Sequence, residues 1–492
     1  MGAILRRPLA VLLPIQAVLL WVRLDLLPVW GDEQFTLSVI ALPWTEIPAR
    51  LAADIHPPLY YALVKLWAQA LAAWPVPTLV AARSFSGVWI LLAGVVVDRR
   101  WLKELPNSAR IFFWLLWVTA PVLLLYGRMA RSYSLQLFLA VVALAAAHGL
   151  RREPNWIRAA LFAAAASALL WTHYLPGLAI TAAVLGLLLF QSWRHAAGAG
   201  ALIALAYAPW LSVLAGALGR VSEREVYALS GSSWSEHLLR VAYTAVSFTA
   251  GEAHTLTSLA LGAVVGCGLA YLAWTSLPEA PFSVATLAAA TAVAYAGASS
   301  WVSFPFMPAR LLFLFPFLLL LIASSRRRQA PVILAAAAAL FVLADQHYFL
   351  RLGFLNKGYL IPFDRIAETI ESGGPPGRTF VIADSANCDP SPLRAALPEE
   401  YEIWTAAEMP ELALAEARIA ESLPQTIWYL RTSRDVTPRR IHERFEETLR
   451  LQYSPTWTRY LRYSEIDRLA LRLLGADPVP THHIQLVRYA KE

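Results

Sequence analysis

LVAARSFSGVWILLAGVVVDRRWLK, residues 79–103, decides the fold. An apolar run of about twenty residues that stops on a cluster of basic residues is a membrane-spanning helix meeting a polar connector, because that length of helix covers roughly 30 Å of hydrocarbon. Working outward, similar blocks are centred near residues 19, 118, 141, 167, 182, 207, 264, 290, 316 and 337. With the block at 88 they predict about eleven spans. The whole chain is 58% hydrophobic and only 15% charged over 492 residues, a balance no water-soluble core would need. The net charge of +7 falls mostly in short connectors rather than on one amphipathic face, so it reports topology and argues against a nucleic-acid partner.

Basic connectors alternate with the others: Arg6 and Arg7, 99–103, 151–158, Arg194 and 326–328. The positive-inside rule then places the N-terminus in the cytoplasm and, with an odd number of spans, the tail outside a bacterial plasma membrane. The first block, residues 9–29 with Arg23 and Asp25 near its outer end, lacks a small-residue cleavage site and reads as a retained anchor. Cys267 and Cys388 lie in different kinds of segment, which gives no disulfide framework.

The outer connectors are then 30–78, 128–132, 172–175, 219–256 and 299–309. In the first, Leu59, Leu63, Leu66 and Ala70 share one stripe at helical spacing, which predicts an interfacial helix with Lys65 off the stripe, towards polar surroundings. From about residue 345 charges become frequent. Strand-like runs at 379–383 and 426–430 alternate with helical stretches at 408–422 and 438–449, and SGGPPG at 372–377 is a loop. The organisation predicted is a membrane domain, 1–345, with outer loop 30–78, and an extracytoplasmic α/β domain, 346–492. The tail contains no Gly-rich phosphate loop, CxxC pair or HExxH.

Four stretches carry chemistry. WGDEQF, 30–35, places Asp32 and Glu33 where the first span leaves the membrane, and adjacent carboxylates beside a low dielectric serve as a general base or bind a cation. DIHPPLYY, 54–61, holds Asp54, His56 and Tyr60 at a rigid helix entry. YGRMARSYSLQLF, 126–138, brings Arg128, Arg131 and Tyr133, and FPFMPARLLFLFPF, 304–317, brings Arg310. Cations on the outer side run against the topology bias, and together with Lys65 and Arg83 they match an anionic lipid headgroup, whose phosphate a guanidinium grips in bidentate fashion. Each taken singly also reads as a snorkelling anchor. His173 and Tyr174 line the cavity or serve as interfacial residues, and the same two readings hold for His254 and Trp301. The sequence identifies no cofactor; a divalent cation at Asp32, Glu33, Asp54 or His56 is the metal these residues admit.

WGDE, then HPPLYY, then an arginine opening the second span, then RMARSYSLQLF resemble the dolichyl-phosphate-mannose protein mannosyltransferase superfamily, whose bacterial branches include the lipid A aminoarabinose transferases. The resemblance covers residues 1–330 in layout, with its specific motifs between 30 and 138. It implies a C-type glycosyltransferase fold, a sugar donor linked to polyprenyl phosphate, an inverting transfer and an acceptor that is a glycan, glycolipid or protein. It also implies that Asp32 is the catalytic carboxylate with Glu33 its acidic partner, and that Lys65, Arg131 and Arg310 belong to the lipid-phosphate site. Where aminoarabinose transferases carry a KPPL-type sequence this chain has His56-Pro57-Pro58-Leu59, so neither sugar nor acceptor is carried over. The rival class is a multi-span transporter or flippase, which 135–147 and 332–344 disfavour by lacking acidic residues.

Overall fold

The computed structural model describes residues 8–54, 56–223, 234–279, 286, 289–291, 308–384, 389–406, 409–422, 424–432, 439–468 and 482–491. They form two compact units: Met1–Leu24 with Thr36–Leu350, and Asp25–Phe35 with Arg351–Glu492.

The first unit is helical. Its elements are α1 (Pro8–Trp21), α2 (Gly31–Ala41, whose first turn groups with the other unit), α3 (Ile47–Ala52), α4 (Leu59–Leu71), α5 (Thr78–Arg100), α6 (Asn107–Thr119), α7 (Pro121–Gly127), α8 (Tyr133–Arg152), α9 (Trp156–Leu170), α10 (Tyr174–Glu223), α11 (Trp234–Ala250), α12 (Leu256–Ser276), α13 (Pro308–Leu311), α14 (Phe315–Ala323) and α15 (Ala330–Phe349). Among the described residues five helices are long and apolar enough to cross a membrane, or six if the bent pair α6–α7 is one span, and Leu9–Trp21, Trp156–Leu170, Val241–Ala250 and Pro308–Ala323 are shorter apolar helices. The chain is a multi-pass membrane protein. Every expected block except the one near 290 contains a described helix; that block lies mostly outside the described residues.

The departures from the expected pattern have local causes. The blocks near 182 and 207 merge into α10, broken at Ser192, whose φ of −152° and ψ of 59° are not helical. The block near 118 bends by 47° at Ala120, because Pro121 has no N–H to donate and drives the preceding residue into extended backbone. The stretch 219–256, expected as an outer connector, contains α11, which buries Ser247, Phe248 and Ala250 and packs on α12 and α15. The polar residues of its sequence, among them Glu236, Arg240 and Thr244, hide a helix from a hydropathy reading.

Two internal ties hold the bundle. Asp98, buried in α5, accepts from Arg110 Nε at 2.7 Å, Arg110 Nη2 at 2.6 Å and Trp114 Nε1 at 2.8 Å. Gln16 and Trp117 exchange hydrogen bonds between α1 and α6, at 3.3 and 3.1 Å. A Cβ at Gly94 would meet Trp117 and Trp114 at 2.8 and 2.9 Å, so α5 can approach α6 only through a glycine.

The second unit is built on a five-stranded sheet in the order β2-β1-β3-β5-β4, formed by β1 (Thr379–Asp384), β2 (Glu402–Ala406), β3 (Thr426–Thr432), β4 (Tyr453–Arg462) and β5 (His482–Lys491). The first three are parallel, β5 runs antiparallel to β3, and β4 antiparallel to β5. Alternation decides the faces: Val381 and Ala383 join one core with Phe363, Ile366 and Ile370 of α16 (Phe363–Ser372), while Phe380 and Ile382 join the other with residues of α18 (Met409–Ser422) and α19 (Arg439–Arg450). A short helix, α17 (Ser391–Ala396), packs on α16.

Candidate functional site

The acidic motif belongs to the second unit. Trp30 stands edge-on to Tyr359 with ring centroids 5.0 Å apart, and its carbonyl accepts from the amides of Glu33 and Gln34 at 2.9 and 3.0 Å, starting α2. Gly31 is required by contact: a Cβ there would lie 2.7 Å from Cβ and 2.8 Å from Cγ of Asp389. Asp389 Oδ1 accepts from the Ser391 amide at 2.9 Å, so its side chain is already held by its own turn. Asp32 and Glu33 occupy the first turn of α2, where exposed amides and the helix dipole favour carboxylates. Glu33 is completely buried and Asp32 only partly, which leaves Asp32 the more accessible of the two.

The cationic group lies in the first unit. His56 and the two prolines that follow it enter α4, and the Leu59 amide donates to the Trp171 carbonyl at 3.0 Å, tying HPPLYY to the connector that holds His173. Arg131 Nη2 is 3.1 Å from His56 Nε2, and its Nη1 is 3.5 Å from the Tyr61 hydroxyl. A guanidinium has only donors, so His56 Nε2 must present its lone pair. The ring proton then sits on Nδ1, the atom 3.6 Å from Asp54 Oδ1. The turn carrying Arg131 is fixed by Ser86 Oγ, which donates to the Met129 carbonyl at 2.6 Å. His173 Nδ1 accepts from the Leu175 amide at 3.2 Å. Burial holds the His173 imidazole well below its ordinary pKa, and the charges of Arg310 and Arg131 push the same way. Positive potential from two separate segments therefore acts on His173.

The remaining cations are turned to the backbone. Lys65 is buried, off the stripe, and its ammonium donates to the carbonyls of Ile40, at 2.9 Å, and Leu42, beyond the end of α2. The apolar stripe faces outward, with Leu66 and Ala70 exposed, while Tyr60, Tyr61 and Val64 form the buried face, as an interfacial helix with lipid on its outer side requires. Arg83 Nη1 donates to the Leu24 carbonyl at 2.7 Å. Arg128 Nη1 donates to Leu19 at 2.6 Å and its Nη2 to Arg23, whose φ of 48° is the left-handed conformation that closes a helix. Arg128 Nε reaches the Tyr348 hydroxyl at 3.1 Å. Tyr60 packs on Tyr61 and Phe85, Tyr133 on Tyr126, and the Tyr174 hydroxyl accepts from Trp210 Nε1 at 3.2 Å. Of the stretch 299–309 only 308 and 309 are described, so Trp301 lies outside the described residues.

Three acids that no sequence motif singles out lie in the first unit. Glu252 is buried, accepts from the hydroxyls of Tyr126 and Ser247, and burial raises its pKa against those hydrogen bonds and one from Tyr243. GEAH at 251–254 is its only signal, inside a stretch whose composition reads as a plain connector. Asp345 is buried near the end of α15 within reach of the Arg128 charge, and Asp98 is the clamp on Arg110 and Trp114. Among the described residues no three His, Cys, Asp or Glu side chains gather in a group that could hold a metal ion.

No family model matches the chain and no curated protein matches it. Solved structures do. The crystal structure of ArnT from Cupriavidus metallidurans in the apo state aligns over 98% of this chain and 97% of its own, with a TM-score of 0.53 and 14% identity. The same ArnT bound to undecaprenyl phosphate aligns over the same shares with a TM-score of 0.51 and 13% identity. At such identity the likeness is one of fold. The chain has the C-type glycosyltransferase fold with a small C-terminal sheet, as the resemblance of its motifs implied.

Proposed function

We propose that the protein is a membrane glycosyltransferase that moves a sugar from a polyprenyl-phosphate donor to an acceptor hydroxyl on the outer face of the plasma membrane, with inversion at the anomeric carbon. The observation that carries this reading is Arg131 held against His56 and Tyr61, with the charges of Arg131 and Arg310 both acting on His173, an arrangement suited to a phosphate at the surface of a lipid-facing bundle. The ArnT structure bound to undecaprenyl phosphate, with the same fold, supports a polyprenyl phosphate as carrier.

Asp32 takes the proton of the acceptor hydroxyl as the new C–O bond forms. The bond between the anomeric carbon and the phosphate oxygen breaks, and the polyprenyl phosphate leaves with the electron pair. Arg131 and Arg310 stabilise the charge that develops on it. Glu33, with no exposed surface, positions the turn rather than exchanging protons with substrate. Lys65 and Arg83 support the donor-phosphate site through the backbone they hold, Arg128 closes α1 beside it, and Tyr60, Tyr133 and Tyr174 shape its walls. The alternation of basic connectors along the sequence, 99–103, 151–158, Arg194 and 326–328, supports a cytoplasmic N-terminus and an extracytoplasmic tail.

The test is sugar transfer from purified polyprenyl-phosphate donors by the full chain in nanodiscs. Formation of a glycosidic product with release of polyprenyl phosphate is expected. Movement of intact donor between leaflets with no bond cleaved would replace the enzyme by a flippase.

A further inference from the structure

A cavity of about 700 Å³ opens at the end of the bundle that carries the basic connectors 99–103 and 326–328. It is walled by the turn after α5, the start of α6, the end of α12, and the connector from α14 to α15. None of its lining residues is assigned to the proposed reaction, so the cavity is independent of that assignment.

The mouth is cationic and the floor apolar. Arg326 and Arg327, both exposed, stand at the rim, while Phe112, Leu320 and Leu334 lie within. The one acid in the lining, Glu104, is paired with Arg100 at 3.5 Å and Arg152 at 3.6 Å, so it adds little negative charge of its own. α6, a helix of 13 residues, begins at the wall with no side-chain cap on its first amides, whereas the first amide of α15, Ala330, donates to the Arg327 carbonyl at 3.0 Å and Pro331 after it has no N–H. Independently of those helix ends, Ser276 lines the cavity with 8% of its surface exposed, and its hydroxyl makes no hydrogen bond among the described residues. A polar group that deeply placed lacks only a partner inside the cavity.

Depth identifies the partner. Spanning helices end where hydrocarbon gives way to headgroups, and here α5, α12 and α14 end while α6 and α15 begin. Soluble anions have no use for a floor of phenylalanine and leucine, and a neutral lipid has none for paired arginines. We infer that this cavity binds one anionic phospholipid of the leaflet on the basic-connector side. Its phosphate sits between Arg326, Arg327 and the first amides of α6, its glycerol faces Ser276, and an acyl chain lies over Leu320 and Leu334.

The full chain, delipidated in detergent, is titrated with palmitoyl-oleoyl phosphatidylglycerol or with the matching phosphatidylcholine, and bound copies are counted by native mass spectrometry. One phosphatidylglycerol is expected to persist at activation energies that strip phosphatidylcholine. In the double variant Arg326→Gln/Arg327→Gln its affinity should fall roughly thirtyfold, the worth of two arginines near an anionic headgroup. Ser276→Leu, which fills the floor and leaves the charge alone, should also weaken it, while Arg194→Gln, basic but outside the cavity, should not. Equal binding of the two lipids, an unchanged double variant, or an equal loss in Arg194→Gln would overturn the site. Displacement of phosphatidylglycerol by millimolar inorganic phosphate would make it a site for a soluble anion, which also overturns the assignment.

Discussion

Arg128 and Arg131 lie on one turn between α7 and α8, and their surroundings differ completely. Arg128 spends its donors on the carbonyls that end α1 and on Tyr348, and its guanidinium lies 5.3 and 5.2 Å from the ring centroids of Tyr348 and Phe349. Arg131 faces a histidine and a tyrosine hydroxyl, and its charge acts with that of Arg310 on His173. The same residue type on the same turn thus serves helix closure in one case and, in the proposed function, an anion site in the other. What separates them is that the partners of Arg128 include main-chain carbonyls that end α1, while Arg131 meets side chains of the His56 motif. Charges tied to helix closure should therefore govern stability, and site charges turnover.

The largest effect is expected at Asp32, partly exposed beside a buried Glu33. Asp32→Asn keeps the shape and removes the base, so turnover should fall about 100-fold or more with insertion and thermal stability unchanged. Glu33→Gln should cost less turnover and more stability. A folded Asp32→Asn protein that transfers sugar at the parental rate would move the base elsewhere.

The two arginines give a direct contrast. Arg131→Gln should weaken donor binding by about 1.5 to 3 kcal/mol, as loss of a hydrogen bond to a charged group does, and leave the melting temperature in place. Arg128→Gln should do the reverse, since it leaves carbonyls at the end of α1 without their donor. If both variants lose donor affinity equally and neither loses stability, the division between them fails.

Gly31 allows a subtler probe. Gly31→Ala brings a methyl group against Asp389 and should displace the turn that presents Asp32, lowering turnover about tenfold with donor affinity retained. Removing the obstacle in Gly31→Ala/Asp389→Gly should restore part of the rate. A single variant with parental turnover, or a pair no better than the single, argues that the contact has no bearing on the base.

Much of the fold is legible in the sequence because hydropathy blocks and alternating basic connectors depend on local composition. So are the strands Thr379–Asp384 and Thr426–Thr432, whose β-branched and aromatic runs lie inside the sheet. β4 is hidden by its edge position: Ser454, Pro455, Thr456 and Arg459 read as a loop, and only pairing with β5 makes them a strand. In the site, the motifs name Arg131 and His56 but cannot separate Arg131 from Arg128. That distinction rests on contacts more than a hundred residues apart, such as Arg128 to Leu19, for which no local pattern exists. The stripe of Leu59, Leu63, Leu66 and Ala70 is legible as the apolar side of an interfacial helix, but that Lys65 ends on the carbonyls of Ile40 and Leu42 is not, because those acceptors lie in another segment.

The smallest effect concerns a satisfied charge in the second unit. Asp467 Oδ2 accepts from the Ser464 amide at 2.7 Å and hydroxyl at 2.6 Å, and lies 3.0 Å from Lys357 Nζ and 3.5 Å from His483 Nε2. Burial pushes its carboxyl up, but the hydrogen bonds from His483 and Ser464 and the charge of Lys357 outweigh it and hold it well below the usual carboxylate range. A carboxyl whose pKa is lower folded than unfolded stabilises the fold fully above its unfolded value, about 3.9, and that share is lost as pH falls from there towards the folded value. Asp467→Asn should therefore cost roughly 2 kcal/mol at pH 7, and the gap from the parent should close as the protein is acidified below about pH 4. Thermal melts of both proteins between pH 7 and pH 3 measure that gap, with sugar transfer at pH 7 as the second readout. By the division drawn from Arg128 and Arg131, transfer per folded molecule should not change. A gap that stays constant with pH would mean that the carboxylate charge contributes nothing here, and reduced transfer in a stable variant would place Asp467 among the site charges.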